Sequence, residues 1–259
     1  MDLGLSGRTA VVTGASRGIG LAIVQALVDE GAFVVVGAHS SSPELDALVD
    51  KEQARFVAVD LSTAEGPAEL VSYAGSTIDI LVNNVGSAPA RTAGFLAVTD
   101  EMWLATLAIN LLAAVRTTRA VLPLMLAAGS GSVVSTCSVN ATLADPAVVD
   151  YSAAKAALAN VSKSLSKEFG GRGIRFNTVS PGPVGTDLWL GKGGVAETVA
   201  AATGLSPADV AAHATEGIPT GRFSHPDEVA AAVVFLAGDQ SGNTTGADIT
   251  VDGGLVPTW

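Results

Sequence analysis

Between residues 9 and 31 a β-branched apolar run leads through a turn with three glycines into a helical pattern, and few architectures accept that succession. Thr9-Ala10-Val11-Val12 reads as a buried strand. Gly14, Gly18 and Gly20 punctuate the turn, and residues 19–30 have helical periodicity that stops at Gly31. The alternation then continues. Residues 33–36, 55–59, 78–82, 132–135, 174–179 and 248–251 read as further strands, with helical patterns between them and an alanine-rich helix from Tyr151 to about Phe169. Apolar runs without polar alternation, separated by helices, predict an α/β fold: a doubly wound parallel sheet of about seven strands, covered on both faces, with right-handed crossovers.

The chain has 48% hydrophobic and only 15% charged residues, which excludes disorder. No repeat or polar linker divides it, so residues 1–259 are expected to form one domain, with residues 188–219 as an insertion that could serve as a lid. The greasiest stretch, residues 102–128, is interrupted by Arg116, Arg119 and Pro123, and reads as a buried helix rather than a membrane span. Asp2 stands where a secretory signal would carry positive charge. Twenty-five acidic residues against 14 basic ones give a net charge of −11, with no basic stripe for nucleic acid. A single cysteine, Cys137, and histidines at 39, 213 and 225 give neither a disulfide nor metal-ligand spacing, and fit a reducing cytoplasm.

A glycine turn between strand and helix aims backbone donors and the positive end of the helix dipole at one place, an anion site suited to a pyrophosphate. A plain tight connection is the other reading of such a turn. A site that prefers a cofactor without a 2′-phosphate places an acid near the end of the second strand. Here the chain reads Gly37-Ala38-His39-Ser40-Ser41-Ser42. Arg17 supplies positive charge, and His39 and Ser40 can hydrogen-bond a phosphate, so NADP(H) is expected ahead of NAD(H). A solvated loop histidine is the other reading of His39.

Tyr151 and Lys155 stand four residues apart and so share one helix face. A neighbouring ammonium is expected to draw the phenol, with an ordinary pKa of about 10, down toward the working range of an acid/base. Ser138 follows a strand, where its hydroxyl could donate to the same substrate oxygen, or could simply serve a turn.

Together these features resemble the classical short-chain dehydrogenase/reductase family over nearly the whole chain. Asp60 after a strand, Asn83-Asn84-Val85-Gly86, Asn110 in a long helix, Pro181-Gly182 and Asp252-Gly253-Gly254 extend the likeness. Val85 in place of the usual alanine, and Thr136-Cys137 ahead of Ser138, depart from it. Cys137 reads as a small buried hydrophobe.

The resemblance implies a single-domain Rossmann-type fold and a cofactor groove made by Gly14, Ser16, Arg17, Gly18, Ile19 and Gly20. Asp60 and Leu61 would lie toward adenine, Asn84, Val85 and Gly86 along the groove, and Pro181, Gly182, Val184 and Thr186 beside nicotinamide. Lys155 would grip the nicotinamide ribose next to Tyr151. Asn110, Ser138, Tyr151 and Lys155 would be catalytic. Ser138, Asn140, Val148, Tyr151, Gly182, Leu188 and Trp189 would meet the substrate, although Trp189 equally fits a core or subunit contact. The expected reaction is hydride transfer between NADP(H) and a carbonyl or secondary alcohol, with a neutral, mainly apolar ketone as the substrate reduced. A 3-oxoacyl-[acyl-carrier-protein] reductase is one alternative; Arg172 could help to dock the acidic carrier, which the acidic whole would repel. An NAD-dependent secondary alcohol dehydrogenase and a non-catalytic dinucleotide-binding protein are the others. Relatives assemble as homotetramers or homodimers through the helices that here carry Asn110 and Tyr151.

Overall fold

The computed structural model describes residues 2–258. Seven strands, β1 (Thr9–Thr13), β2 (Phe33–Ala38), β3 (Ala54–Ala58), β4 (Ile80–Asn83), β5 (Gly131–Thr136), β6 (Ile174–Pro181) and β7 (Asp248–Val251), form one sheet. Its order is β3-β2-β1-β4-β5-β6-β7, and every pairing is parallel. The connecting helices are α1 (Gly18–Asp29), α2 (Pro43–Asp50), α3 (Gly66–Ser72), α4 (Asp100–Leu107), α5 (Ala113–Ala128), α6 (Val149–Phe169), α7 (Asp187–Leu190), α8 (Val195–Thr203), α9 (Pro207–Glu216) and α10 (Pro226–Ala237).

Successive strand residues point to opposite faces, so a strand covered on both sides presents apolar residues to each. Ala10, Val12, Val34, Val36 and Val134 pack beneath α1, α2 and α10, while Val11, Val35, Leu81 and Val133 pack beneath α3, α5 and the end of α6. The expected doubly wound Rossmann-type sheet is therefore present, with strand ends shifted by one or two residues; Ile78 is buried but lies ahead of β4.

One expectation needs correction. The helical run Asp100–Ala128 is not buried all round: 33% of its most apolar window is buried, although the run is long and apolar enough to cross a membrane by length and composition. Ala113, Thr117, Val121 and Met125 lie against the sheet, while Met102, Leu104 and Leu112 are exposed, because one sheet can cover only one face of a helix. As that reading of one helix requires, α5 runs through Pro123 to Ala128, its packing outweighing one lost backbone hydrogen bond. The stretch 188–219, expected as an insertion, carries the short helices α7 to α9, with Ala196, Ala200 and Val210 as a small cluster of their own.

Strand order reverses between β2-β1 and β4-β5, so the helices that follow β1 and β4 leave on opposite faces. A crevice opens at the carboxyl ends of these two strands.

Candidate active site

The β1 end of that crevice is the glycine turn. Gly14 and Gly18 have φ of +66° and +56°, which a side chain would strain. A Cβ at Gly14 would lie 2.7 Å from Val85 Cα, and one at Gly20 would lie 2.6 Å from both Ala15 Cα and the Gly14 carbonyl oxygen. Without those glycines, α1 and the chain after β4 could not approach the turn. Thr13 and Asn84 hold the same seam: Thr13 Oγ1 accepts from the Asn84 and Val85 amides at 2.9 and 3.1 Å, and Asn84 Nδ2 donates to the Thr13 and Gly14 carbonyls. Arg17, the exposed N-cap of α1, makes no side-chain capping bond, so the first-turn amides face the crevice without a protein side chain on them.

Thr186 Cγ2 would lie 3.3 Å from a Cβ at Gly18, so the segment after β6 reaches back over the turn. Pro181 ends β6 in the core, Gly182 donates to the Val251 carbonyl at 3.0 Å, and Val184 pairs with Ser224. Gly182 has no room for a side chain, since its Cβ would meet Asp252 Cα at 3.0 Å.

Deeper in the crevice lie the four polar side chains singled out above. Lys155 is buried, and its Nζ is 5.7 Å from the centre of the Tyr151 ring, so the two do share a face of α6. Nζ donates to the Thr136 carbonyl at 2.7 Å, and a Cβ at Gly86 would lie 3.5 Å from it. Asn110 sits in a π-turn, Ala108–Leu112, that joins α4 to α5 and places an extra residue in the helix. Its carboxamide exchanges two hydrogen bonds with the Ser87 backbone, at 3.1 and 2.9 Å, and donates a third to the Thr106 carbonyl. Ser138 caps the short turn after β5, where Asn140 engages its hydroxyl through both backbone N–H and Oδ1.

The expected lowering of the phenol by Lys155 is not what this geometry gives. Burial pushes the Tyr151 phenol up to about 12, with the Ser138 hydroxyl acting in the other direction. Burial likewise draws the Lys155 ammonium down. Loss of water disfavours the charged form of each group and is the leading cause of both shifts.

A family model described as enoyl-(acyl carrier protein) reductase matches residues 14–256. D-threitol dehydrogenase from Mycolicibacterium smegmatis is 39% identical over 98% of this chain and 94% of its own. The chain belongs to the classical short-chain dehydrogenase/reductase family. It is accordingly an oxidoreductase acting between CH–OH and C=O. A 3-oxoacyl-[acyl-carrier-protein] reductase from Thermotoga maritima is 34% identical over 97% of this chain and 99% of its own. The crystal structure of L-sorbose reductase from Gluconobacter frateurii, complexed with NADPH and L-sorbose, superposes with a TM-score of 0.90 at 32% identity, covering 100% of both chains.

Other expected positions of this short-chain dehydrogenase/reductase lie further along the crevice or outside it. His39 and Ser40 are exposed just beyond β2, whereas the Ser41 hydroxyl is engaged by Asp46 and that of Ser42 caps α2. Asp60 follows β3 and approaches His39, with Oδ1 3.9 Å from Nε2; hydrogen bonds from Ser62 hold its carboxyl below the usual range. Leu61 is buried in the core behind it. Ser16 and Ile19 are partly buried at the turn. Asn140 is occupied with Ser138 and the Leu143 carbonyl. Val148 immediately precedes α6, Leu188 is half exposed on α7, and the Trp189 ring packs edge-on against Phe223, centroids 5.4 Å apart. Cys137 is a buried thiol, pushed up by that burial, and Sγ contacts the Lys155 carbonyl.

Sequence reasoning missed Arg91, Thr106 and Asp150, which form a buried charged cluster beside Tyr151. One signal was present: Arg91 is the sole charged residue between Asp79 and Asp100.

Proposed function

We propose that the chain catalyses NADP(H)-linked reduction of a small neutral ketone to a secondary alcohol. The observation that carries this reading is the convergence of Tyr151, Lys155, Ser138 and Asn110 at one end of a crevice whose other end is an uncapped glycine turn. The residues present fit a dinucleotide: the uncapped first turn of α1 offers amides to phosphates, Thr186 reaches over that turn, and Gly86, beside Asn110 and Lys155, would lie toward the nicotinamide. Bound there, the nicotinamide supplies or accepts the hydride. Tyr151, protonated at neutral pH, gives its proton to the carbonyl oxygen; Ser138 donates a hydrogen bond to that oxygen; Lys155 and Asn110 carry the replacement proton inward. A phenol protonated at neutral pH is in the state that carbonyl reduction requires, and the reducing direction follows from NADPH as the cofactor.

The 2′-phosphate preference is supported by the neutral end of β2, by exposed Arg17, His39 and Ser40, and by NADPH in the L-sorbose reductase complex. Val148 and Leu188 support an apolar wall around the carbonyl, with α7 to α9 as the lid. D-threitol dehydrogenase and L-sorbose reductase favour a second substrate reading, a polyhydroxy ketone, which Asn140 beside Ser138 could help to bind. Assembly as a homodimer or homotetramer belongs to the same reading and is supported by the exposed apolar Met102, Leu104 and Leu112.

A screen following NADPH and NADH absorbance across simple ketones, ketoses and β-ketoacyl thioesters tests all of this. Turnover is expected with NADPH on a neutral ketone or ketose, and Arg17→Gln should weaken NADPH more than NADH. Equal losses would remove the phosphate argument, and inactivity on every carbonyl compound with cofactor binding intact would overturn the reaction.

A further inference from the structure

The carboxylate of Asp150 is wholly buried, although it immediately precedes the proposed acid. It accepts from Thr106 Oγ1 at 2.7 Å, from Arg91 Nε at 3.1 Å, from a second Arg91 nitrogen, and from the Tyr151 backbone N–H at 3.1 Å. Arg91 is itself almost buried, donates to Thr106 Oγ1 at 3.1 Å, and has its backbone N–H on the Ala147 carbonyl at 2.6 Å. Thr106 continues the path, because its carbonyl receives Asn110 Nδ2. Ser87, four residues before Arg91, is bonded to the same Asn110 carboxamide in both directions.

The bonds close a ring: Tyr151 backbone, Asp150, Arg91, the chain back to Ser87, Asn110, Thr106 and Asp150 again. We propose that Arg91 is a positioning residue, which fixes the first turn of α6, and with it Tyr151, relative to the π-turn that carries Asn110. The inference rests on the hydride-transfer reading above. A buried ion pair is a poor stabiliser, since desolvation offsets its attraction; its better-attested use is to enforce one register. Here three separate elements meet on one carboxylate, and two of them hold groups of the proposed proton path. A bidentate guanidinium fixes angle as well as distance, which a lysine ammonium does not.

The test compares kcat, KM, NADPH Kd and thermal midpoint in Arg91→Met, Thr106→Val and the double variant Arg91→Met/Asp150→Leu. Arg91→Met should lower kcat about a hundredfold, as a misplacement near 1 Å does, with KM and NADPH Kd held within about threefold. The double variant leaves no buried charge, so it should recover the midpoint but not kcat. Recovery of both would make the pair a fold element only and overturn the proposal. Where the Arg91 variants do not fold, Thr106→Val decides, since it keeps the ion pair: kcat should fall at an unchanged midpoint, and unchanged kcat overturns it. Should the parent enzyme reduce no carbonyl compound, the reaction reading fails and amide exchange on Arg91→Met judges the positioning separately. Faster exchange at residues 84–91 together with residues 106–112 and 149–152 supports the ring, and exchange confined to residues 88–94 overturns it.

Discussion

Lys155 is a buried cation that has, among the described residues, no carboxylate within ion-pair distance; its Nζ rests on the Thr136 carbonyl beside a phenol. Such a group is costly to keep unless its charge is used, and Tyr151 is the nearby group on which to use it. The phenol is held up to about 12 by burial, above its ordinary value of about 10, so the folded protein grips that proton more tightly than the unfolded chain. The resulting contribution to stability is present below about pH 10 and is lost as pH rises toward about 12. An ultraviolet titration of the parent minus Tyr151→Phe should therefore lack phenolate at neutral pH in the free protein, and phenolate there would contradict the assignment. Tyr151→Phe should also cut turnover by about a hundredfold or more while NADPH still binds. The four-residue spacing made the shared face of Tyr151 and Lys155 legible in the sequence. The direction of the phenol shift was not legible, because burial is set by strands and loops distant in the chain. Arg91 and Asp150 escaped for the same reason, being 59 residues apart.

Helix α1 is written almost completely in its own residues: a glycine turn before it, apolar periodicity within it, Gly31 beyond it. What cannot be read locally is how closely other chain segments come. Gly20 is one small residue in a helical pattern until Ala15, Gly14 and Asn84 are found at its back. Gly20→Ala must push backbone against backbone, so it should cost about 1–3 kcal/mol in urea denaturation and weaken NADPH binding as well. An unchanged midpoint and affinity would mean that the turn yields freely. The π-turn at Asn110 carries no marker in residue type, and an even helical pattern hides it. Pro123 did not break the expected helix, since packing of Val121 and Met125 on the sheet carries α5 past it.

At the scale of the molecule, fold class was the most legible property, because a strand covered on both faces carries an apolar centre, as Val11-Val12, Val34-Val35-Val36, Leu81-Val82 and Val133-Val134 do. The sides on which the exposed apolar residues of α4 lie, and the crevice itself, depend on strand order, which no local pattern encodes. That order has a kinetic consequence. Ala10 pairs with Ile80 across the seam between β1 and β4, whereas β1 and β2 are joined by a single helix. Closing the larger loop forfeits more chain entropy, so β1-β2 should assemble first and the seam later. Since the two walls of the crevice are the two sides of that seam, refolding chains should regain helical circular dichroism before they can quench or enhance NADPH fluorescence. The enzyme would thus acquire its ligand affinity only late in its own assembly, and excess nucleotide would trap molecules whose seam has closed without hastening the others.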